Sequence, residues 1–268
     1  MTENPPFRVE KDGHVAWLIL NRPEKRNAMD MVFFEELLRR FRDFDADPDI
    51  RAVVIRAEGK SFTAGMDLNA LDGLMKASGV AGREKMRRTI RRLQAAMTAV
   101  ERCRKPVIAA AHSHCVGGGV DLLSACDIRL AARDAVFSIR ETRIAIVADL
   151  GTLQRLPGII GEGWFRELAL TGRDFTAEEA LRMGFITHLC EDRAHLYETA
   201  EKLAREIAAC SPLAVEGVKD VILYSRDHGV EAGLAYVAQK NAALLPSEDL
   251  VEALRAFKEK RVPDFKGK

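Results

Sequence analysis

Along FRVEKDGHVAWLILNRP, residues 7–23, apolar positions alternate with polar ones on both sides of Asp12-Gly13. A period of two around a turn dipeptide predicts two antiparallel strands joined by a tight hairpin. The segment MVFFEELLRRFRDFDAD then sets Phe34, Leu37, Leu38 and Phe41 at the spacing of one helical face, and RAVVIRAEG reads as a short apolar strand ending in glycine. Strand, helix, strand is a crossover unit. The rhythm returns where the helical pattern GREKMRRTIRRLQAAMTAVERCR leads through Lys105-Pro106 into the buried strand VIAAAH. A short helix beginning within GGGVDLLSAC precedes a further strand, IRLAARDAVF. From Gly161 onward the segments are helical and no strand series is legible. The pattern predicts an α/β core over residues 6–160 and helices after it, with no Gly/Ser or Pro linker between them and no internal repeat.

Composition narrows the picture. The chain has 268 residues, 47% of them hydrophobic, which suffices for a sizeable core in one large domain or two small ones. Its 41 Lys+Arg nearly cancel 40 Asp+Glu, and aromatic residues make up 6%, so no global field or stacking platform points to nucleic acid or an anionic membrane. The five cysteines fit no zinc spacing and read as reduced core thiols. The acidic, Pro-containing start MTENPPFRVEKDG resembles neither a secretory nor a transit segment, and the end FKGK is not a Ser-Lys-Leu address. A cytoplasmic location is the expectation from these features.

Candidate chemistry lies where the pattern is violated. The mostly apolar stretch IRETRIAIVADLG, residues 139–151, carries Glu141 and Asp149. A buried carboxylate without a partner costs several kcal/mol or takes up a proton, so two of them invite either a chemical role or a surface pairing with Arg140 or Arg143. Two glycine turns, SFTAGMDL at 61–68 and HCVGGGVDLL at 114–123, each bring a strand end to a helix start. There the backbone is open to close approach and unpaired N–H groups can face an oxygen bearing negative charge. No Gly-Lys-Ser/Thr follows and Leu122 stands where a dinucleotide fingerprint needs glycine, which excludes both phosphate motifs. No nucleophilic triad is legible. Strand alternation would place His112 and His114 on one side, but no third ligand is suggested and no metal is expected.

FTAGMDL, KPVIAAAHSHCVGGGVDLLSACDIRLAARDAVFSIRE and GTLQRLPGIIG, with NRPEKRNAM near the start, resemble the enoyl-CoA hydratase/isomerase, or crotonase, family. The resemblance implies the ClpP/crotonase type of α/β fold: a β/α core of repeated ββα units over residues 1–200 holding the acyl-CoA site, and a helical C-terminal region over 201–268 that forms trimers, commonly paired into hexamers. It assigns the backbone N–H groups of Met66 and Gly118 to an oxyanion hole for the thioester oxygen. Ala64, Gly65, Met66, Asp67 and Leu68, with Gly118, would line the acyl-CoA site. Ser113 stands where many relatives have glycine, which bears on the wall of that hole.

Within the family the acids decide the reaction. Typical hydratases have glutamates at the positions of Asp121 and Glu141 and a small residue at that of Asp149. The set Asp121, Glu141 and Asp149 instead resembles the Δ3,5-Δ2,4-dienoyl-CoA isomerase branch, where a basic residue such as Arg140 is usual. That branch moves a proton from C2 to C6 of a 3,5-dienoyl thioester. Such chemistry implies Glu141 at C2, Asp149 at C6, Asp121 as an orienting or proton-shuffling neighbour, and no cofactor beyond the coenzyme A of the substrate. The alternatives are a 2-enoyl-CoA hydratase and a non-catalytic, RNA-binding homologue; retention of all three acids favours the enzyme.

Overall fold

The computed structural model describes residues 4–68 and 79–268. In chain order it contains strands β1 (Phe7–Asp12) and β2 (Val15–Leu20), helix α1 (Met31–Ala46), β3 (Ala52–Ala57), α2 (Gly79–Arg102), β4 (Val107–Ala111) and β5 (His114–Val116). Helix α3 (Gly118–Ala125) leads to β6 (Ile128–Ala132) and β7 (Val136–Ser138), and three short helices follow, α4 (Thr152–Arg155), α5 (Pro157–Ile160) and α6 (Glu162–Thr171). Then come β8 (Asp174–Thr176), α7 (Ala177–Arg182), β9 (His188–Cys190), α8 (Arg193–Ala208), α9 (Pro212–His228), α10 (Val230–Leu244) and α11 (Glu248–Glu259).

The main sheet has the order β1-β2-β3-β4-β6-β9, parallel throughout except for the β1–β2 hairpin. Both of its faces are covered, which is why its central strands read as unbroken apolar runs. Val53 and Ile55 of β3 and Ala109 and Ala111 of β4 point into the larger core with Phe33, Phe34, Leu37 and Phe41 of α1 and Leu93, Ala96, Met97 and Val100 of α2. Val54, Ile108, Ala110 and Leu130 face the other way, against α8. That helix, which runs across residue 200, presents Leu196, Ala200, Ala204 and Ala208 in steps of four. A smaller sheet, β5-β7-β8, stands beside the first.

Three readings of the pattern are corrected. IRLAARDAVF is two strands: the chain turns at Arg133-Asp134, and β6 and β7 enter different sheets. The region after Gly161 is not purely helical, because β8 pairs with β7 and β9 forms the edge of the main sheet beside β6. Strands of three residues are too short to show alternation; their partners, not their own sequence, extend them. His112 and His114 do not share a side. Between them Ser113 takes φ +50°, ending the β4 alternation, so that His112 is buried while His114 is exposed on β5. Among the described residues no group of three or more His, Cys, Asp or Glu could hold a metal ion, and no helix is long and apolar enough to cross a membrane.

Candidate active site

The two glycine turns meet. Met66 forms a parallel bridge with Met29, in which Met29 N–H donates to Gly65 O at 2.8 Å and Asp67 N–H donates to Met29 O at 2.9 Å. This pairing uses the groups on either side of Met66 and leaves its own N–H free. The turn is held from below by buried Thr63, whose hydroxyl donates to Asn27 O at 2.7 Å and accepts from Gly65 N–H at 3.1 Å. Opposite, Gly117 N–H donates to Ser138 O at 2.9 Å and Gly117 O accepts from the N–H groups of Val120 and Asp121, so α3 begins with the Gly118 N–H unspent. Among the described residues neither Met66 N–H nor Gly118 N–H donates to a protein group. Glycine is required at 65, where at φ +84° a methyl would lie 2.6 Å from Val116 O; it would also lie 3.6 Å from Gly118 N, and a methyl on Gly118 would be tight against Met29 Sδ at 3.1 Å and lie 3.9 Å from Met66 N, so the two turns are in close contact. Two unpaired donors, one of them at a helix N-terminus, thus lie close together.

Strands β5 and β7 run parallel, Val116 beside Ser138, so the residues following each strand are neighbours as well. Glu141 therefore arrives next to the glycine turn: a methyl on Gly117 would come within 3.3 Å of Glu141 Oε1. Its Oε2 is buried without a hydrogen-bond partner. Arg140 pairs instead with Asp174, and Arg143 Nε donates to Thr171 O at 3.0 Å, so neither neighbouring arginine neutralises Glu141 and the surface-pairing alternative fails. Burial lifts the Glu141 carboxyl to about 7, and the charges of Asp121 and Asp149 add to the rise.

Asp121, 1% exposed on α3, accepts at one carboxylate oxygen from both Thr152 N–H and Thr152 Oγ1, each at 2.7 Å. Burial pushes it up to about 6 even though these two bonds pull the other way. Asp149, half-buried, is also raised by burial. Three carboxyls from sequence positions 121, 141 and 149 thus form one electrostatic unit, all held toward their protonated forms. Desolvation with like-charge neighbours is an arrangement that tunes acids for proton transfer.

Gly65 is buried, Met66 and Asp67 are half-buried, and Ala64 and Leu68 are exposed along the same turn. Ser113, by contrast, faces outward: its hydroxyl contacts His114 Nδ1 at 3.2 Å and its N–H donates to Asp134, so its departure from glycine does not touch the two unpaired donors. Sequence reasoning missed Thr63, Thr152 and Gln94, whose Nε2 donates to Asp149 O at 2.7 Å. No spacing rule marks them, since each acts through a contact distant in sequence; the one hint was a glutamine beside the apolar stripe of α2.

A sequence model described as enoyl-CoA hydratase/isomerase matches residues 10–268. The chain belongs to the enoyl-CoA hydratase/isomerase family. It is 47% identical over 264 residues, 97% of this chain and 95% of the relative, to a peroxisomal Delta(3,5)-Delta(2,4)-dienoyl-CoA isomerase of Arabidopsis thaliana. Over 253 residues it is 46% identical to the mitochondrial enzyme of that name from Homo sapiens, covering 92% of this chain and 77% of the relative. Among solved structures, an enoyl-CoA hydratase from Bacillus anthracis superposes with a TM-score of 0.91 at 33% identity, covering 98% of this chain and all of the other. The crotonase fold expected for this family member is the fold observed. The cytoplasmic expectation is corrected, because the similar isomerases are named peroxisomal or mitochondrial. Charge balance and reduced thiols describe a folded catalytic chain in any of these compartments, so they carry no address.

Proposed function

We propose that this protein is a Δ3,5-Δ2,4-dienoyl-CoA isomerase. One observation carries the reading: Glu141, whose buried Oε2 has no hydrogen-bond partner, lies against the Gly117–Gly118 turn and feels the charge of a second acid, Asp149, eight residues on. A hydratase needs its acids only around the two adjacent carbons of one double bond, C2 and C3. Moving two conjugated double bonds requires a base at C2 and an acid at C6, several bonds apart, each within reach of its carbon.

In this reading the thioester oxygen sits between the N–H groups of Met66 and Gly118. Glu141 takes a proton from C2, and the electrons of that C–H bond spread through C3 to C6 and onto the thioester oxygen as a dienolate. The two N–H donors stabilise this charge; removing one such donor in other enzymes costs about 10²–10³ in rate. Asp149 then gives its proton to C6, which leaves double bonds at C2 and C4. Burial raises the Asp149 carboxyl toward its protonated form, and the reaction requires that it hold its proton while Glu141 is ionised. Asp121 holds Thr152, three residues beyond Asp149, and, raised by burial to about 6 while Glu141 is raised to about 7, it is an acid of similar strength whose charge bears on Glu141. The chemistry needs no cofactor besides the coenzyme A already on the substrate.

The apolar face of the C-terminal helices supports a trimer, paired or not into a hexamer. Val218 and Ile222 on α9, Leu234 on α10 and Leu254 and Phe257 on α11 are each more than half exposed, a concentration that monomers rarely leave uncovered. The activity is tested by ultraviolet absorbance: the purified protein should convert 3,5-dienoyl-CoA into the conjugated 2,4-dienoyl chromophore, and Asp149→Asn should slow this about 10²–10⁴-fold. Hydration of 2-enoyl-CoA with no action on the dienoyl substrate would refute the reading.

A further inference from the structure

Asp149 sits in an irregular segment between a 3-10 turn and the short helix α4, yet a general acid must be held within a fraction of an ångström of its target carbon. The structure shows what holds it. Gln94, Thr98 and Glu101 lie on one stripe of α2, in helical steps of four and three, and this polar stripe faces the segment 149–155. Gln94 Nε2 donates to Asp149 O at 2.7 Å. Arg155 Nη1 donates to Leu150 O at 3.3 Å, while its Nε and Nη2 grip the two oxygens of Glu101 at 3.0 and 3.2 Å. Glu101 is in turn met from the far side by Arg226 Nη1 of α9 at 2.5 Å. Gly151 makes this possible: at φ +125° it leaves room for the Arg155 guanidinium to fold back, where a methyl would lie 1.7 Å from Nη1. With Thr152 fixed by Asp121, the backbone is tied at residues 149, 150 and 152.

The network is built rather than incidental. The side chains of Glu101 and Arg155 are only 10% and 11% exposed. Burial alone would raise the Glu101 carboxyl, but the two arginines more than offset it and hold it below its ordinary value, ionised. A buried bidentate pair of this kind has fixed geometry.

We propose that Gln94, together with the chain of charges Arg226–Glu101–Arg155, positions the Asp149 carboxyl at the far carbon of the acyl chain. This rests on the isomerase reading in which Glu141 works at C2 and Asp149 at C6. The four side chains are positioning residues: Gln94 and Arg155 hold the backbone around the acid, and Glu101 and Arg226 hold Arg155 in place. Loosening the clamp should leave C2 deprotonation by Glu141 intact while impairing delivery of the proton to C6.

The test compares two readouts on the full-length protein with 3,5-dienoyl-CoA: formation of the 2,4-dienoyl chromophore, and incorporation of solvent deuterium at C2 of recovered substrate. Gln94→Met keeps the side-chain length and removes the donor; it should lower kcat for isomerisation about tenfold, since misplacement by an ångström costs up to about a hundredfold. Deuterium exchange at C2 should stay within about twofold of wild type and KM should barely move. Arg226→Met, at a half-exposed position, should show the same split more weakly, and Arg226→Lys should restore most of the rate. Asp149→Asn is the reference for a complete split, and thermal unfolding checks that each variant is folded. If Asp149→Asn splits the two readouts but Gln94→Met and Arg226→Met lower both together, or neither, the clamp is structural and the proposal fails alone. If wild type does not isomerise the substrate, or Asp149→Asn leaves isomerisation intact, the isomerase reading fails and takes the clamp with it.

Discussion

Replacing Glu141 by glutamine should stabilise the folded protein at alkaline pH while removing its activity. The native carboxyl binds its proton more tightly than an unfolded one, about 7 against an ordinary 4.5. For such a group the destabilisation is absent below the unfolded pKa, grows as pH rises from there to the folded pKa, and is constant above it. At about 1.4 kcal/mol per pKa unit, the ionised side chain costs the native state about 3 kcal/mol at pH 8.5 and under about 1 kcal/mol at pH 5. The amide inherits the unpaired position of Oε2, which costs about 1 kcal/mol at any pH. Glu141→Gln should therefore gain about 2 kcal/mol over wild type at pH 8.5 and nothing at pH 5. Urea unfolding at both pH values, at one protein concentration, measures this difference. A gain equal at the two pH values, or none at either, would mean that Glu141 titrates like an exposed glutamate and would remove the basis for its role as a base.

Three further outcomes follow from the geometry. For the wild-type enzyme, kcat/KM should fall as pH drops below about 7, where Glu141 takes up the proton that blocks its action at C2; a profile flat down to pH 5 would contradict the raised pKa. Gly118→Ala places a methyl 3.1 Å from Met29 Sδ, so that side chain or the turn must shift, and should cut kcat up to about a hundredfold by displacing the Gly118 N–H, with the far-ultraviolet spectrum unchanged. Thr152→Val removes the hydroxyl donor to Asp121, so the Asp121 pKa should rise above about 6 in a carboxyl titration followed by isotope-edited spectroscopy, and isomerase activity should fall.

Much of the fold was legible in the order of residues, because spacing along a strand or helix is a local quantity. Alternation around Asp12-Gly13 specified the hairpin, and the run from Met31 specified α1 together with the face it buries. The glycine turns and the acids at 121, 141 and 149 were also visible, since burial-prone stretches seldom contain glycine triplets or carboxylates without cause. What stayed hidden were choices between partners. Nothing in IRETRIAIVADLG says whether Arg140 and Arg143 turn to Glu141 or away from it; Asp174 and the Thr171 carbonyl, supplied by later segments, draw both arginines off. Strands β8 and β9 exist only because β7 and β6 offer them an edge.

The sequence by itself determined which residues could be strands, helices, turns and acids, because those properties depend on neighbours a few positions away. Tertiary structure alone decided that the Met66 and Gly118 N–H groups would lie close together without a protein acceptor among the described residues, that Glu141 Oε2 would be buried without a partner, and that Gln94 would hold Asp149 from 55 residues earlier in the chain. Hydrogen bonds and desolvation act over a few ångströms of space, and only packing settles which distant parts of a chain come that close.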